Sequence, residues 1–209
     1  MTGTLRLALL GAPQIWIDEK PVTGFITSKA KALFYYLAVT GRPHTRTTLA
    51  SLLWPDGSEG QARKNLRDVL PNIRRLLEPY LLVTRDQIAF NGKSPHWLDV
   101  AEFCKVLAAQ TTNRNLLAVQ NAVALYQGNF LDGFYVRDAP EFEAWVLTQR
   151  ESLQEYLRQG LYTLVEAHIA HKTYAEGLAL TRRLLALEAW DERAHRQQMW
   201  LLAANGQYS

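Results

Sequence analysis

Between positions 63 and 75 the chain places Arg63, Lys64, Asn65, Arg67, Arg74 and Arg75 in the stretch GQARKNLRDVLPNIRRLLEP. Guanidinium, ammonium and amide groups donate hydrogen bonds to phosphates and to the base edges of the major groove. Their spacing is helical. At 100° per residue, Leu66, Val69, Leu70, Ile73, Leu76 and Leu77 fall within one arc of about 120°, and the basic residues fill a second arc of similar width. Asp68 and Glu78 lie on or beside the basic arc, and Pro71 is near its centre. Proline deletes the bond to the carbonyl of Arg67 and crowds that turn. Because the apolar seam keeps its phase across Pro71, one bent helix is expected. The alternative is a new helix that starts at Pro71.

The surrounding elements must present this helix. TLRLALLG and QIWID alternate apolar and polar residues as strands, parted by the turn GAP. Ser28 is placed to cap a helix through KAKALFYYLAVTG, closed by Gly41. Thr45 or Thr47 starts a second helix, RTTLASLLW, ended by PDG. The basic helix follows, over Glu59 to Glu78. YLLVTRDQIAFN then reads as a hairpin turning near Arg85–Asp86, which gives the order β-β-α-α-α-β-β. In this order Arg63, Lys64, Asn65 and Arg67 lie in the N-terminal part of the third helix, the part that enters the major groove in a helix-turn-helix. Arg46 and Thr47 open the preceding helix, where amides and side chains meet backbone phosphates. Arg85 at the hairpin tip is placed to reach an adjacent minor groove.

Charge is divided in the same way. The chain carries 23 Lys+Arg and 20 Asp+Glu, a net +3. Residues 1–97 hold 13 basic and 7 acidic side chains and residues 98–209 hold 10 and 13, so a +6 half precedes a −3 half. A basic half suits a polyanion. With 48% apolar and 21% charged residues the composition is that of a globular protein. No run of 18 apolar residues predicts a membrane span. A single cysteine, Cys104, excludes an internal disulfide, fits a reducing cytoplasm, and reads as a small core residue.

No catalytic, metal or cofactor site emerges. NGKS (Asn91 to Ser94) lacks the glycine that a phosphate-binding loop needs five residues before Gly92, and Pro95 opposes the helix that should follow. GSEG (Gly57 to Gly60) lacks the spacing of a nucleophile elbow. His168 and His171 share a helical face without a third ligand and read as capping or packing groups. Glu141 and Glu143 point to different sides of a helix as solvated charges. Trp54, Trp97, Trp145, Trp190 and Trp200 read as core or interface packing.

From Asp99 onward the pattern is helical. Asp99 and Glu102 resemble a capping box. LLAVQNAVALYQG ends at Gly128, and GNFLDGFYVRDAP is a loop with enough apolar bulk to pack down. EFEAWVLTQRESLQEYLRQGLYTLVEAHIAHK is one long helix or two, with Gly160 as a weak point. Two more helices follow, the last opened by Asp191. AHKTY (Tyr174) and ANGQY (Tyr208) recur 34 residues apart, the tetratricopeptide period. Gly177 takes the small position of that repeat. A generic bundle of α-hairpins is the competing reading. The last repeat lacks its partner helix at Ser209, so the natural protein is expected to continue.

These stretches carry a family resemblance. LRLALLG, KAKALFYYLA, LASLLWPD, ARKNLRDVLPNIRRLL and LLVTR resemble the winged helix of OmpR/PhoB-type regulators. With WLDVAEF, YQGNFLDGFYVRDAPEFEAWV and ERAHRQQMWLLAANGQYS, nearly the whole chain resembles the SARP-like activators. The resemblance implies an α+β winged helix-turn-helix (1–97) followed by an all-α, tetratricopeptide-like bacterial transcriptional activator domain (98–209). It implies a non-enzymatic cytoplasmic regulator that binds double-stranded promoter DNA, self-associates on DNA repeats and recruits RNA polymerase. Lys64, Asn65 and Arg67 match the exposed recognition positions, Arg85 the wing, and Trp54 to Gln61 a loop that can face polymerase, with Trp54 as its core anchor. Pro71 departs from the pattern, as does the short wing TRDQ with its acid Asp86. The competing readings are a helical-repeat interaction module and the front end of a larger signalling ATPase or regulator.

Overall fold

A computed structural model describes residues 3–108 and 115–206. The chain forms two compact units. One comprises Met1–Ala101 with Gly128–Arg150, the other Glu102–Gln127 with Glu151–Ser209. This spatial division does not follow the sequence division at 97/98.

In the first unit, β1 (Leu5–Ala8) pairs antiparallel with β2 (Gln14–Ile17), which pairs with the short β3 (Lys20–Pro21). On its other edge β1 pairs in parallel with β7 (His96–Leu98), a strand that local alternation does not reveal. Leu5, Leu7 and Leu9 are fully buried, as the alternation requires. Helix α1 (Ser28–Thr40) is capped by Thr27, one residue before the expected Ser28; the Thr27 hydroxyl accepts from Ala30 N at 3.1 Å. Gly41 closes it at φ 61°, the left-handed conformation that glycine adopts without strain. A two-residue strand, β4 (His44–Thr45), leads into α2 (Arg46–Leu53), which Thr45 caps.

Helix α3 (Glu59–Leu77) is one continuous helix with Pro71 inside it. Leu66, Val69, Leu70, Ile73 and Leu77 are buried and Leu76 is half-buried, as the seam demands. Asn72 is buried as well. Its side chain accepts from Ile26 N at 3.2 Å and donates to Gly24 O at 3.0 Å, tying the segment before α1 to α3. A 3-10 turn (Glu78–Tyr80) leads into the hairpin of β5 (Leu81–Val83) and β6 (Gln87–Phe90), and β4 adds to β6 to complete a second sheet. Asn91 to Ser94 form the turn between β6 and β7, held by Asn91 Nδ2 on Pro79 O at 2.9 Å.

Residues 128–150 complete this unit. Leu131 N donates to Leu9 O and Asp132 N to Gly11 O, both at 2.9 Å. Phe130, Leu131, Val136, Phe142 and Val146 are buried. Trp145 packs edge-on against Tyr36 at 4.8 Å, and Phe134 against Tyr35 at 5.4 Å. The apolar loop therefore does pack down. Glu143 is not merely solvated, because its carboxylate accepts from Val136 N at 2.8 Å.

Asp99 opens α4 (Asp99–Leu107) and does more than cap it. Its carboxylate accepts from Leu9 N at 2.7 Å, Leu10 N at 2.8 Å and Val100 N at 2.7 Å. Burial pushes the carboxyl up to about 6, although the three amides and Arg6 favour the charged form. The folded chain therefore holds this proton below about pH 6, whereas the unfolded chain holds it only below about 3.8. Stability from this group rises as pH falls through that window, by up to about 3 kcal/mol, and is lost as pH climbs past 6. Asp99→Asn should flatten the pH dependence of urea unfolding between pH 4 and 6. Asp99→Ala should cost about 2–4 kcal/mol at pH 7, because the Leu9 and Leu10 amides would be left unpaired. An unaltered pH profile in Asp99→Asn would refute the assignment.

The second unit is helical. It contains most of α4, α5 (Leu116–Leu125), the later part of α6 (Pro140–Ala170), α7 (Tyr174–Leu187) and α8 (Glu192–Ala204). Gly160 lies inside α6 and is a packing device, not a weak point. A Cβ there would stand 3.0 Å from both Leu107 Cδ2 and Val123 Cγ2. Gly177 lets α8 approach in the same way, with Leu201 Cδ2 at 3.1 Å from such a Cβ. Asp191 caps α8, accepting from Ala194 N at 3.1 Å and from the Tyr162 hydroxyl at 2.5 Å. Arg183 donates to Tyr126 O at 2.7 Å and Val123 O at 3.2 Å, closing the C-terminal end of α5. His168 binds the Thr173 hydroxyl and His171 the Ala167 carbonyl, each at 2.7 Å, which are capping roles. Two tryptophans depart from expectation: Trp190, in the α7–α8 turn, is 88% exposed and Trp200 is 49% exposed. Cys104 is half-buried, with its thiol pushed up by burial. Tyr208 of the 34-residue spacing lies outside the described residues.

Candidate nucleic-acid interface

The exposed face of α3 begins at Ser58, whose hydroxyl accepts from Gln61 N at 3.3 Å. The buried seam then fixes the rotation of the helix, so Lys64, Arg67, Arg74 and Arg75 are all exposed. Beside it stands the β5–β6 hairpin. Its tip is held by Thr84, whose hydroxyl accepts from Gln87 N at 3.0 Å and donates to Gln87 O at 3.1 Å. Pairing of β4 with β6 brings the start of α2 to the same place.

The nine candidate residues do not have equal freedom. Arg46 donates to Thr84 O at 2.9 and 3.3 Å, and its backbone N donates to Asp86 O at 3.0 Å. It clamps the hairpin tip to α2. Arg63 pairs with Glu59 at 2.5 Å and donates to the Thr47 hydroxyl at 2.9 Å, which ties α3 to α2. Asn65 accepts from Gln61 at 2.9 Å, and Arg74 lies 3.4 Å from Glu78. The side chains of Lys64, Arg67, Arg75 and Arg85 make no hydrogen bond or ion pair among the described residues.

Two adjoining hollows run between α3 and the hairpin. One, of about 400 Å³, takes in Thr47, Arg63, Arg67 and Arg85. The other, of about 540 Å³, takes in Arg67, Leu70, Pro71, Arg74, Arg75, Glu78 and Val83. Arg46 and Arg67 line both, so they form the shared ridge. Pro71 does not part the two basic ends of α3. It lies on the wall of a hollow that Arg67, Arg74 and Arg75 all border. Val83 and the clamp residue Thr84 have no counterpart among the sequence candidates. Neither is charged, and only the strand pairing brings Val83 beside α3 and Thr84 to the Arg46 guanidinium.

The unpaired cations Arg67, Arg75 and Arg85, beside apolar Leu70, Pro71 and Val83 and with Glu78 and Asp86 also on the walls, can hold phosphates. Among the described residues no group of three or more His, Cys, Asp or Glu side chains could hold a metal ion, and no helix is long and apolar enough to cross a membrane.

Residues 98–209, more than half of the chain, match the bacterial transcriptional activator domain. The chain belongs to that family. The SARP-like reading of the sequence is thereby borne out, and the family is one of transcriptional regulators. Regulatory protein AfsR of Streptomyces coelicolor is 25% identical over 208 residues, covering 98% of this chain and 21% of AfsR. The structure of Mycobacterium tuberculosis EmbR in complex with a low affinity phosphopeptide superposes with a TM-score of 0.73 at 20% identity. It covers 97% of this chain and 55% of the EmbR chain, a likeness of fold. The family member described here thus spans about a fifth of AfsR and just over half of that EmbR chain.

Proposed function

We propose that residues 1–97 form a winged helix-turn-helix and that the chain is a transcriptional activator binding specific sequences in double-stranded promoter DNA. In this reading α3 enters the major groove, α2 meets the backbone through its first turn, and the β5–β6 hairpin is the wing. The tetratricopeptide-like activator domain is residues 98–209, of which 128–150 belong to the first compact unit. The observation that carries the reading is the placement of Lys64, Arg67, Arg75 and Arg85. All four are exposed and without side-chain partners: Lys64, Arg67 and Arg75 stand on a helix whose other face is buried, and Arg67, Arg75 and Arg85 line the hollows between that helix and the hairpin. Cations left unpaired by their own protein suit a polyanion that brings the counter-charge.

The segment Trp54 to Gln61, which joins α2 to the first turn of α3 and is exposed from Asp56 on, is assigned to RNA polymerase. Direct repeats in the promoter would seat two copies side by side. The chain acts in the cytoplasm, where its DNA is, and has no catalytic step of its own. A second reading, a helical-repeat interaction module, draws on the exposed Trp190 and Trp200. Selection of bound sequences from random duplex DNA separates the two. An enriched motif, bound with steep salt dependence, is expected. Weak binding that enriches no motif would end the sequence-specific reading.

A further inference from the structure

Phosphate binding leaves the middle residue of the α3 face without a role. Pro71 is exposed, one turn after Arg67, two turns after Lys64, and one turn before Arg74 and Arg75. Its ring has neither donor nor acceptor, and its neighbours in the larger hollow include Leu70 and Val83. Leu70 is 5% exposed, so the ring is the apolar group that this part of α3 offers to a partner. It also removes one helical hydrogen bond, so it weakens the helix it sits in. Contact with phosphates alone would be served better by a polar helix former.

Resting on the DNA-binding reading above, we infer that Pro71 is a specificity residue whose ring packs on the C5-methyl group of a thymine. In the major groove thymine differs from the other bases in carrying a methyl group among its donors and acceptors. Guanine and adenine offer polar edges there, and cytosine an amino group. The ring would strip water from these groups and return no hydrogen bond. Thymine offers apolar surface instead, and its burial is favourable. The flanking cations Lys64 and Arg67 on one side, Arg74 and Arg75 on the other, hold the helix in register over that base.

The test uses the full chain and a duplex carrying its selected motif, with each thymine replaced in turn by deoxyuridine, which lacks only the methyl group. At one thymine near the centre of the motif, affinity should fall about fourfold, the effect of burying one methyl group. In Pro71→Ser the same replacement should change affinity by less than about 1.5-fold. Serine restores the helical amide, so circular dichroism should show α3 intact, and the readout is the thymine-to-uridine ratio, not absolute affinity. If the motif is enriched but every uridine duplex binds as well as its thymine parent, the inference fails and the DNA-binding reading stands. A uridine loss equal in Pro71→Ser and the natural chain also overturns it. If no motif is enriched, the underlying reading fails first.

Discussion

Lys64→Ala combined with Arg67→Ala is expected to weaken binding to the selected duplex by on the order of 100-fold at fixed salt, with the fold unchanged. Both side chains are exposed and neither holds another part of the protein, so their loss removes charge from the interface and nothing from the core. The slope of log affinity against log salt should also fall by about one for each phosphate contact removed. Fluorescence anisotropy over a salt series measures both quantities. The two other arginines nearby serve as contrasts. Arg63→Ala should cost less than about tenfold, because Glu59 and Thr47 already occupy its guanidinium. Arg46→Ala should weaken binding and also raise the amide exchange of residues 84–87, since it releases the clamp on Thr84. Unchanged affinity in the Lys64/Arg67 double variant would remove α3 as the reading element.

The second large effect concerns where the chain can be cut. A fragment of residues 1–97 is expected to lose cooperative folding, although it contains every candidate DNA contact. It lacks the Asp99 carboxylate that binds the Leu9 and Leu10 amides and the Leu131 amide that donates to Leu9 O. It also lacks Trp145 and Phe134, the ring partners of Tyr36 and Tyr35, and the buried Phe130, Leu131, Phe142 and Val146. Each large apolar side chain contributes about 1.5–3 kcal/mol on burial, and a whole domain is stable by only about 5–15 kcal/mol. Differential scanning calorimetry should show no sharp transition for 1–97 and a sharp one for 1–209. A cooperative transition of 1–97 within a few degrees of the full chain would show that residues 128–150 are dispensable.

What the sequence made legible was local. The seam of α3 repeats every three to four residues, the β5–β6 hairpin turns at Arg85–Asp86, and Thr45, Gly41 and Asp191 are punctuation recognisable from residue type. What escaped was long-range. The parallel pairing of β7 with β1, the two-residue β4, and the docking of residues 128–150 depend on partners some 40 to 120 positions away, with no periodic signature. The burial of Asn72 had no local signature either, because its partners are backbone groups of Gly24 and Ile26. At the candidate site, residue types identified the cations. Which of them are free followed only from the positions of Glu59, Thr47 and Thr84. Trp190 misled in the other direction, since bulk alone argued for burial.

The discontinuity of the first unit also bears on its synthesis. Its last pieces, Phe130 to Arg150, are translated after the intervening Glu102–Gln127. At about 5–20 residues per second, roughly 3–10 s pass between the emergence of β7 and that of residue 150. Throughout that interval Leu9, Leu10, Tyr35 and Tyr36 have no lid, and nascent chains with bare apolar surface and open strand edges are what chaperones bind. A ribosome-bound chain stalled near residue 110 should therefore remain protease-sensitive in its basic half, and one stalled well past 150 should not. The reading surface would thus mature only once much of the family's activator domain has also been made.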